Sequence, residues 1–238
     1  MKASDYVNVF KYHGKGLYAL NRVWDTFKDV HLFDLKRGTD TAIIKTDGYT
    51  DSRYMIYMPV YTTVCLEMIR KSFEWYTSGI RYSNTSLIPV FVDLGAGAGK
   101  AVAIAHESNF FDLCVGVELD ESLSSRSRQN VRSEKNQVLH VHGNVESASW
   151  VRKVLEIIPE GQHSNIVLFA FNKNSYDGDV VRGTLQIVKD NFSNSIYLYQ
   201  NPVHHEEVIR SGFSEIQRDA RPNNAHKNFK YVLYRYAN

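Results

Sequence analysis

The sequence predicts an α/β fold: a seven-stranded, mostly parallel sheet with helices on both faces, a C-terminal antiparallel hairpin and an N-terminal helical extension. Three features carry this. From residue 88 onward, apolar runs alternate with helix-like stretches in a strand–turn–helix grammar that occurs five times. A glycine-rich turn, Gly95-Ala96-Gly97-Ala98-Gly99-Lys100, separates the first run from the stretch after it. The last two β-rich runs have no helix between them, the pattern of a hairpin on one sheet edge. The chain accordingly divides into a helical extension or lid over residues 1–87 and an α/β unit over residues 88–238.

In chain order, residues 4–30 carry Leu17, Leu20, Val23, Trp24 and Phe27 at helix-like spacing. A polar, turn-rich stretch follows over residues 36–54. Residues 57–76 read as a helix starting near Pro59, because proline suits a first helical turn, with Val60, Val64, Met68 and Phe73 among its apolar positions. The parallel strands are expected at 88–95, 113–119, 137–143, 165–172 and 195–200. Their helices are expected at 98–108, 121–134, 150–158, 177–192 and 203–212. The closing strands span 213–219 and 228–237, joined by the turn-prone loop RPNNAHK.

Bulk chemistry narrows the class. Hydrophobic residues make up 43% and charged residues 23% of 238, the balance of an ordinary globular chain. A net charge of +2 gives no reason to expect a nucleic-acid or membrane partner. Cys65 and Cys114 both sit in apolar stretches and read as buried thiols of a reducing compartment. The N-terminus has no apolar core of a signal peptide, and no stretch approaches the ~20 apolar residues needed to span a bilayer. These features predict a soluble cytoplasmic protein.

The glycine turn lies where an open α/β sheet receives its ligand, beyond the carboxyl end of a strand. Glycines allow close backbone approach, and the following helix N-terminus offers amides to an anion. The third glycine comes one residue too early for a dinucleotide fingerprint, and Ala101 after Lys100 breaks a P-loop frame. Asp93 stands two residues before the first glycine, and Glu118 lies 23 residues after Gly95 at the end of the second strand, followed by Leu119. A carboxylate there can accept from both hydroxyls of a ribose, or can be a surface acid at a strand end. Gly143-Asn144-Val145-Glu146 borders the same crevice. Asn144 suits an adenine edge and Val145 can supply an amide, or the segment is an Asn turn capping the next helix.

FVDLGAGAGK, GVELD and GNVE resemble motifs I, II and III of class I S-adenosylmethionine-dependent methyltransferases. FDLKRGTDT, RYMIYMPV, LFAFNKNSYDGDVV and YLYQNPVHHEEVIRSGF further resemble a group of bacterial members with mostly unassigned acceptors, so the likeness covers residues 33–213. It implies a Rossmann-like sheet and S-adenosyl-L-methionine as cofactor. It places Asp93, Gly95, Ala96, Gly97 and Gly99 in the cofactor loop, with Glu118 and Leu119 at the ribose. Asn144 and Val145 would meet the adenine, Tyr57 would close over the cofactor, and Phe171 and Asn172 would reach the methyl-transfer position. One departure stands out: Lys173 occupies the position where the group usually has proline. A cation beside a sulfonium is repelled, so Lys173 must turn away, pair with an acid or meet an anionic acceptor.

The catalytic candidates are Asn172, Lys173 and Tyr176. An amide oxygen such as that of Asn172 can orient an amine acceptor, whereas a hydroxyl acceptor needs a base, for which Tyr176, Asp177, His204 and His205 are candidates. No Cys/His/Asp cluster has metal-ligand spacing. The acceptor is expected to be a small molecule or a protein side chain, with nitrogen favoured and no membrane partner. Arg218, Arg221, Lys227, Lys230 and Arg235 could contact a nucleic acid, but Glu206, Glu207, Glu215 and Asp219 offset them. A non-catalytic binding module is the reading from a different class, motivated by Lys173. A nicotinamide dehydrogenase is disfavoured by the glycine spacing. Tyr49, Tyr54, Tyr57, Tyr61, Trp75 and Tyr76 either line an acceptor pocket or form a lid on the sheet.

Overall fold

Side-chain alternation along the strands decides the layers. In the computed structural model, Val90, Val92 and Leu94 of strand β1 (Ile88–Leu94) enter one buried cluster and Phe91 enters the other. Strand β4 (Ile166–Asn172) repeats the division, with Leu168 and Ala170 on one face and Phe169 and Phe171 on the opposite face. Strands buried on both faces must be covered twice. The structure describes Trp24, Phe27 and residues 31–41, 59–80, 87–133, 137–173, 176–223 and 226–237. Apart from Trp24 and Phe27, the helical spacing read over residues 4–30 lies outside the described residues.

The sheet has seven strands in the order β3-β2-β1-β4-β5-β7-β6. The other strands are β2 (Leu113–Glu118), β3 (Val138–His142), β5 (Asn194–Gln200), β6 (Ser214–Asn223) and β7 (His226–Ala237). β1 to β5 are parallel, and β7 runs antiparallel to both β5 and β6. Strand order reverses between β1 and β4, which opens a crevice at their carboxyl ends.

Helices α1 (Leu32–Arg37), α2 (Thr62–Ile80) and α3 (Lys100–Ser108) contribute Phe33, then Cys65, Met68 and Ile69, then Ala101 to Ala105 to one cluster. Helices α5 (Ser149–Ile157), α6 (Gly178–Asn191) and α7 (His205–Arg210) bring Trp150, Val151, Val154, Val180, Leu185 and Val208 to the other. Helix α4 (Glu121–Asn130) follows β2, its first turn capped by the Asp120 carboxylate, which accepts from the Leu123 amide. Asp177 caps α6 in the same way, accepting from the amides of Asp179 and Val180.

Several boundaries differ from expectation. α2 starts at Thr62 rather than near Pro59, because the Pro59 carbonyl accepts a hydrogen bond from Lys173 Nζ and the first helical bond runs from Cys65 N to Tyr61 O. α4 ends at Asn130, four residues early, and the hairpin strands run into the expected loop through a ladder with register shifts. Helix α1 and a 3-10 turn over Glu160–Asn165 were not expected. Cys65 and Cys114 are free and buried, as predicted, and burial pushes the Cys114 thiol up to about 12. Among the described residues no helix is long and apolar enough to cross a membrane.

Candidate active site

Three glycines make the loop after β1 possible. Gly95, Gly97 and Gly99 have φ values of 86°, 53° and 87°, the left-handed region that a Cβ disfavours. The loop folds back on β2: the amides of Gly95 and Ala96 both donate to the Val117 carbonyl at 2.9 Å. Gly97 N donates to Glu118 Oε2 at 2.7 Å, and Gly99 N donates to the Ala96 carbonyl at 2.9 Å. These amides shape the loop, and what it offers a ligand is close approach and the Glu118 carboxylate.

Glu118 is buried, and its second oxygen accepts from the Asp120 amide at 2.9 Å. Each carboxylate oxygen has two lone-pair sites, so a carboxylate can accept from hydroxyls as well as from backbone amides. Asp93, next to last in β1, lies beside Glu118 and is 4% exposed. Burial first, and the Glu118 charge second, hold its carboxyl well above the usual carboxylate range. Leu119 follows Glu118, half-buried, its carbonyl in contact with His142 Nε2 at 3.1 Å.

The third motif forms a turn. Asn144 Oδ1 accepts from the Glu146 amide at 2.8 Å, and Val145 is buried with its carbonyl accepting from Trp150 Nε1 at 3.1 Å. Both turn-forming and ligand-facing readings had been open for Asn144; its side-chain oxygen forms the turn.

At the end of β4, Phe171 is fully buried and Asn172 Nδ2 donates to the Leu94 carbonyl at 2.9 Å, tying β4 to β1 just before the glycine loop. Lys173 Nζ donates to the Pro59 carbonyl at 2.6 Å and lies 5.7 Å from the Tyr61 ring centroid. Burial, followed by the nearby Lys100 charge, pulls its pKa down to about 7. Lys100 is itself buried, its Nζ 4.8 Å from the Phe33 ring centroid.

Three of the four base candidates have structural partners. Tyr176 is 6% exposed and belongs to the core cluster on the α5–α6 face. Asp177 caps α6, and His205 Nδ1 lies 2.7 Å from the Tyr234 hydroxyl. Among the described residues no group of three His, Cys, Asp or Glu side chains could hold a metal ion. Tyr49, Tyr54 and Tyr57 lie outside the described residues. Trp75 and Tyr76 are not at the crevice. With Leu87, Val167 and Ile196 they line a cavity of about 340 Å³ at the opposite, amino ends of the strands.

The sequence reading missed Gln200 and Asn201. They end β5 beside Asn172, with Asn201 at φ 54°. Gln200 Oε1 and Asn201 Oδ1 are buried without a hydrogen-bond partner among the described residues. Such oxygens cost stability and mark places where a ligand can be received. Gln200→Leu is expected to leave thermal stability unchanged or raise it by about 1 kcal/mol; a fall in melting temperature would show that the amide is structural.

No family model matches the sequence, and no curated protein matches it. Solved structures do. A candidate RNA methyltransferase from Pyrococcus horikoshii superimposes with a TM-score of 0.51 at 13% identity, over 89% of this chain and 98% of that one. A candidate methylase from Haemophilus influenzae gives 0.46 at 13%, over 71% and 88%. A candidate methyltransferase from Escherichia coli gives 0.45 at 15%, over 72% and 87%. The sheet order with its reversed last pair, the glycine loop after β1 and the superposition over nearly the whole Pyrococcus chain agree: this chain has the class I S-adenosylmethionine-dependent methyltransferase fold.

Proposed function

We propose that this chain binds S-adenosyl-L-methionine at the carboxyl ends of β1 to β4 and transfers its methyl group to a nitrogen acceptor of a protein side chain or small molecule. The observation that carries the reading is the buried Glu118 carboxylate held against the glycine loop through Gly97 N. Glu118 would hold the ribose hydroxyls, with Leu119 beside them, and the loop from Gly95 to Gly99 would admit the amino-acid end close to Asp93. Asn144 and Val145 would border the adenine, with Tyr57 closing from the extension. The extension over residues 1–87 would cap the crevice, and the unit over 88–238 would hold the cofactor.

The cofactor supplies an electrophilic methyl on a sulfonium. The protein must align an acceptor with that methyl and exclude water. Asn172, with Phe171 behind it, would orient an acceptor N–H through its amide oxygen. The hydroxyl-acceptor route needs a base, and three of the four candidates for that task have partners elsewhere: Asp177 in a cap, His205 with Tyr234, Tyr176 in the core. Lys173 near neutrality can serve as a hydrogen-bond donor at the acceptor side without adding a full repelling charge.

The Pyrococcus structure is named as an RNA methyltransferase. A nucleic-acid acceptor would need cations free to meet phosphate. Arg218, one of the cations read for that role, instead pairs with Glu215, which weighs against that reading.

Calorimetric titration with S-adenosylmethionine and S-adenosylhomocysteine tests the proposal, and both should bind. Glu118→Ala should weaken S-adenosylhomocysteine by about 2 kcal/mol, roughly thirtyfold, through lost charge-assisted hydrogen bonds. Binding of neither ligand by folded protein would remove the cofactor assignment, and unchanged affinity in the variant would remove Glu118 from the ribose.

A further inference from the structure

A loop built on three left-handed glycines has little stiffness of its own, so its shape must be imposed from outside. Glu118 does this at the Gly97 amide. The second anchor is Asn130, the last residue of α4, whose Nδ2 donates to the Ala98 carbonyl at 2.9 Å. A peptide group is planar, with carbonyl and amide pointing in opposite directions, so holding the Ala98 carbonyl also sets the direction of the Gly99 amide. That amide meets Ala96 O across the turn.

Asn130 has a second task. The same Nδ2 donates to the Asp40 carbonyl at 3.0 Å, and its Oδ1 accepts from the Asp40 amide at 3.0 Å. The carboxamide thus reads both backbone groups of one residue in the N-terminal extension while holding the glycine loop. Asp40 belongs to a self-braced hook. α1 ends at Gly38, φ 64°, and Asp34 Oδ1 then receives the hydroxyls of Thr39 at 2.7 Å and Thr41 at 2.8 Å. The Thr41 amide also donates to the Asp34 carboxylate at 3.0 Å. The hook is fastened to α3 by Arg37, whose guanidinium meets both oxygens of Glu107, with Nε 2.5 Å from Oε1. It is fastened to α4 by the Arg126–Asp40 ion pair. Phe33, 2% exposed, anchors it in the core beside Lys100, the residue that follows the loop.

We infer that Asn130 is a positioning residue that couples docking of the 31–41 hook to ordering of the cofactor loop, so that cofactor binding and closure of this part of the extension form one equilibrium. The inference rests on the cofactor assignment above and adds its regulation. Coupling of this kind is reciprocal: a ligand that orders the loop must tighten the hook, and loosening the hook must weaken the ligand by the same factor.

The test is limited trypsinolysis at Lys36 and Arg37, followed by mass spectrometry with and without S-adenosylhomocysteine, alongside calorimetry of the same ligand. In the wild-type chain the ligand should slow cleavage at these two positions severalfold. Asn130→Ala should abolish that protection and weaken the ligand about tenfold. A second variant avoids the loop altogether: Glu107→Ala with Arg126→Ala removes two partly exposed ion pairs that hold the hook, at 45% and 37% side-chain exposure. It too should weaken the ligand severalfold, with circular dichroism confirming an intact fold. Unchanged affinity in the double variant, or no ligand effect on wild-type cleavage, would overturn the coupling while leaving the cofactor assignment standing. No ligand binding to the wild-type chain would remove both.

Discussion

Gly99→Ala should destabilise the protein strongly, even though it adds a single methyl group. Gly99 lies at φ 87°, and a Cβ built there would sit 2.4 Å from Ser127 Oγ, 3.1 Å from its Cβ and 3.2 Å from its Cα. Ser127 has no room to retreat: it is 2% exposed, and its hydroxyl lies 2.9 Å from His140 Nδ1, while His140 Nε2 lies 3.0 Å from the Val131 carbonyl. The left-handed backbone costs roughly 1–2 kcal/mol for alanine, and the overpacking adds about 1–3 kcal/mol. Together they should lower the melting temperature by roughly 5–15 °C in a chain of this size. The loop can escape the clash only by lifting from α4, which would also break the Asn130 bond to Ala98 and lower cofactor affinity. Ser127→Ala in the Gly99→Ala background should return part of the lost stability, because it removes the closest contact and leaves the backbone strain. Additive effects of the two substitutions in a thermal double-mutant cycle would show that the loop and α4 are not in contact as described.

That contact was only half legible in the sequence. The glycines after an apolar strand, and a carboxylate at the end of the next one, identified the crevice, because strand periodicity and turn chemistry are local properties. Strand ends fell within one residue for the five parallel strands. The partners of those residues were not local. Asn130 sits in a polar helix tail, and nothing in its neighbours reveals that it will face Ala98 on one side and Asp40 on the other, 32 and 90 positions away. The sequence shows no helix at 32–37, and only residues 36–41 of the hook read as turn-rich polar chain, because helix α1 spans six residues and is stabilised by the Asp34 bonds rather than by a long apolar stripe. Of the two readings open for Trp75 and Tyr76, the packing one holds, since both pack against the cluster on the sheet face, and their distance from the crevice has a geometric cause. Helical spacing identifies the face that packs, and Cys65, Met68, Ile69 and Ser72 do lie on it. It does not tell which end of the sheet a residue reaches. At 19 residues α2 is about 28 Å long, longer than the strands beneath it, so its last turns arrive at the far end from the glycine loop.

Asp93→Asn should make the ligand-free protein more stable at neutral pH and the cofactor complex weaker. The carboxyl is 4% exposed and faces the second carboxylate, Glu118; both burial and that charge favour its protonated form. Its folded pKa is raised above the unfolded value of 3.8, so the folded state binds more protons across that window. The contribution of Asp93 to stability is therefore complete below the unfolded value and is lost as pH rises through the folded one. Asparagine keeps the shape without the ionisation, so its stability should be flatter with pH and higher than wild type at the alkaline end. A fold that retains so unfavourable a group has a use for it, and two buried carboxylates beside a glycine loop suit a cationic ligand. A cation arriving there lowers the Asp93 pKa and expels a proton, so wild-type binding of S-adenosylmethionine should strengthen with pH across the same window. Titrations in buffers of different ionisation enthalpy should then detect proton release on binding. Asp93→Asn should release none and bind about tenfold to a hundredfold more weakly, the scale of a lost charge-assisted contact. If the variant were less stable than wild type at neutral pH, the carboxylate would have to be a paired structural group. If it bound S-adenosylmethionine as tightly, with the same proton release, the cation would have to be received elsewhere in the crevice.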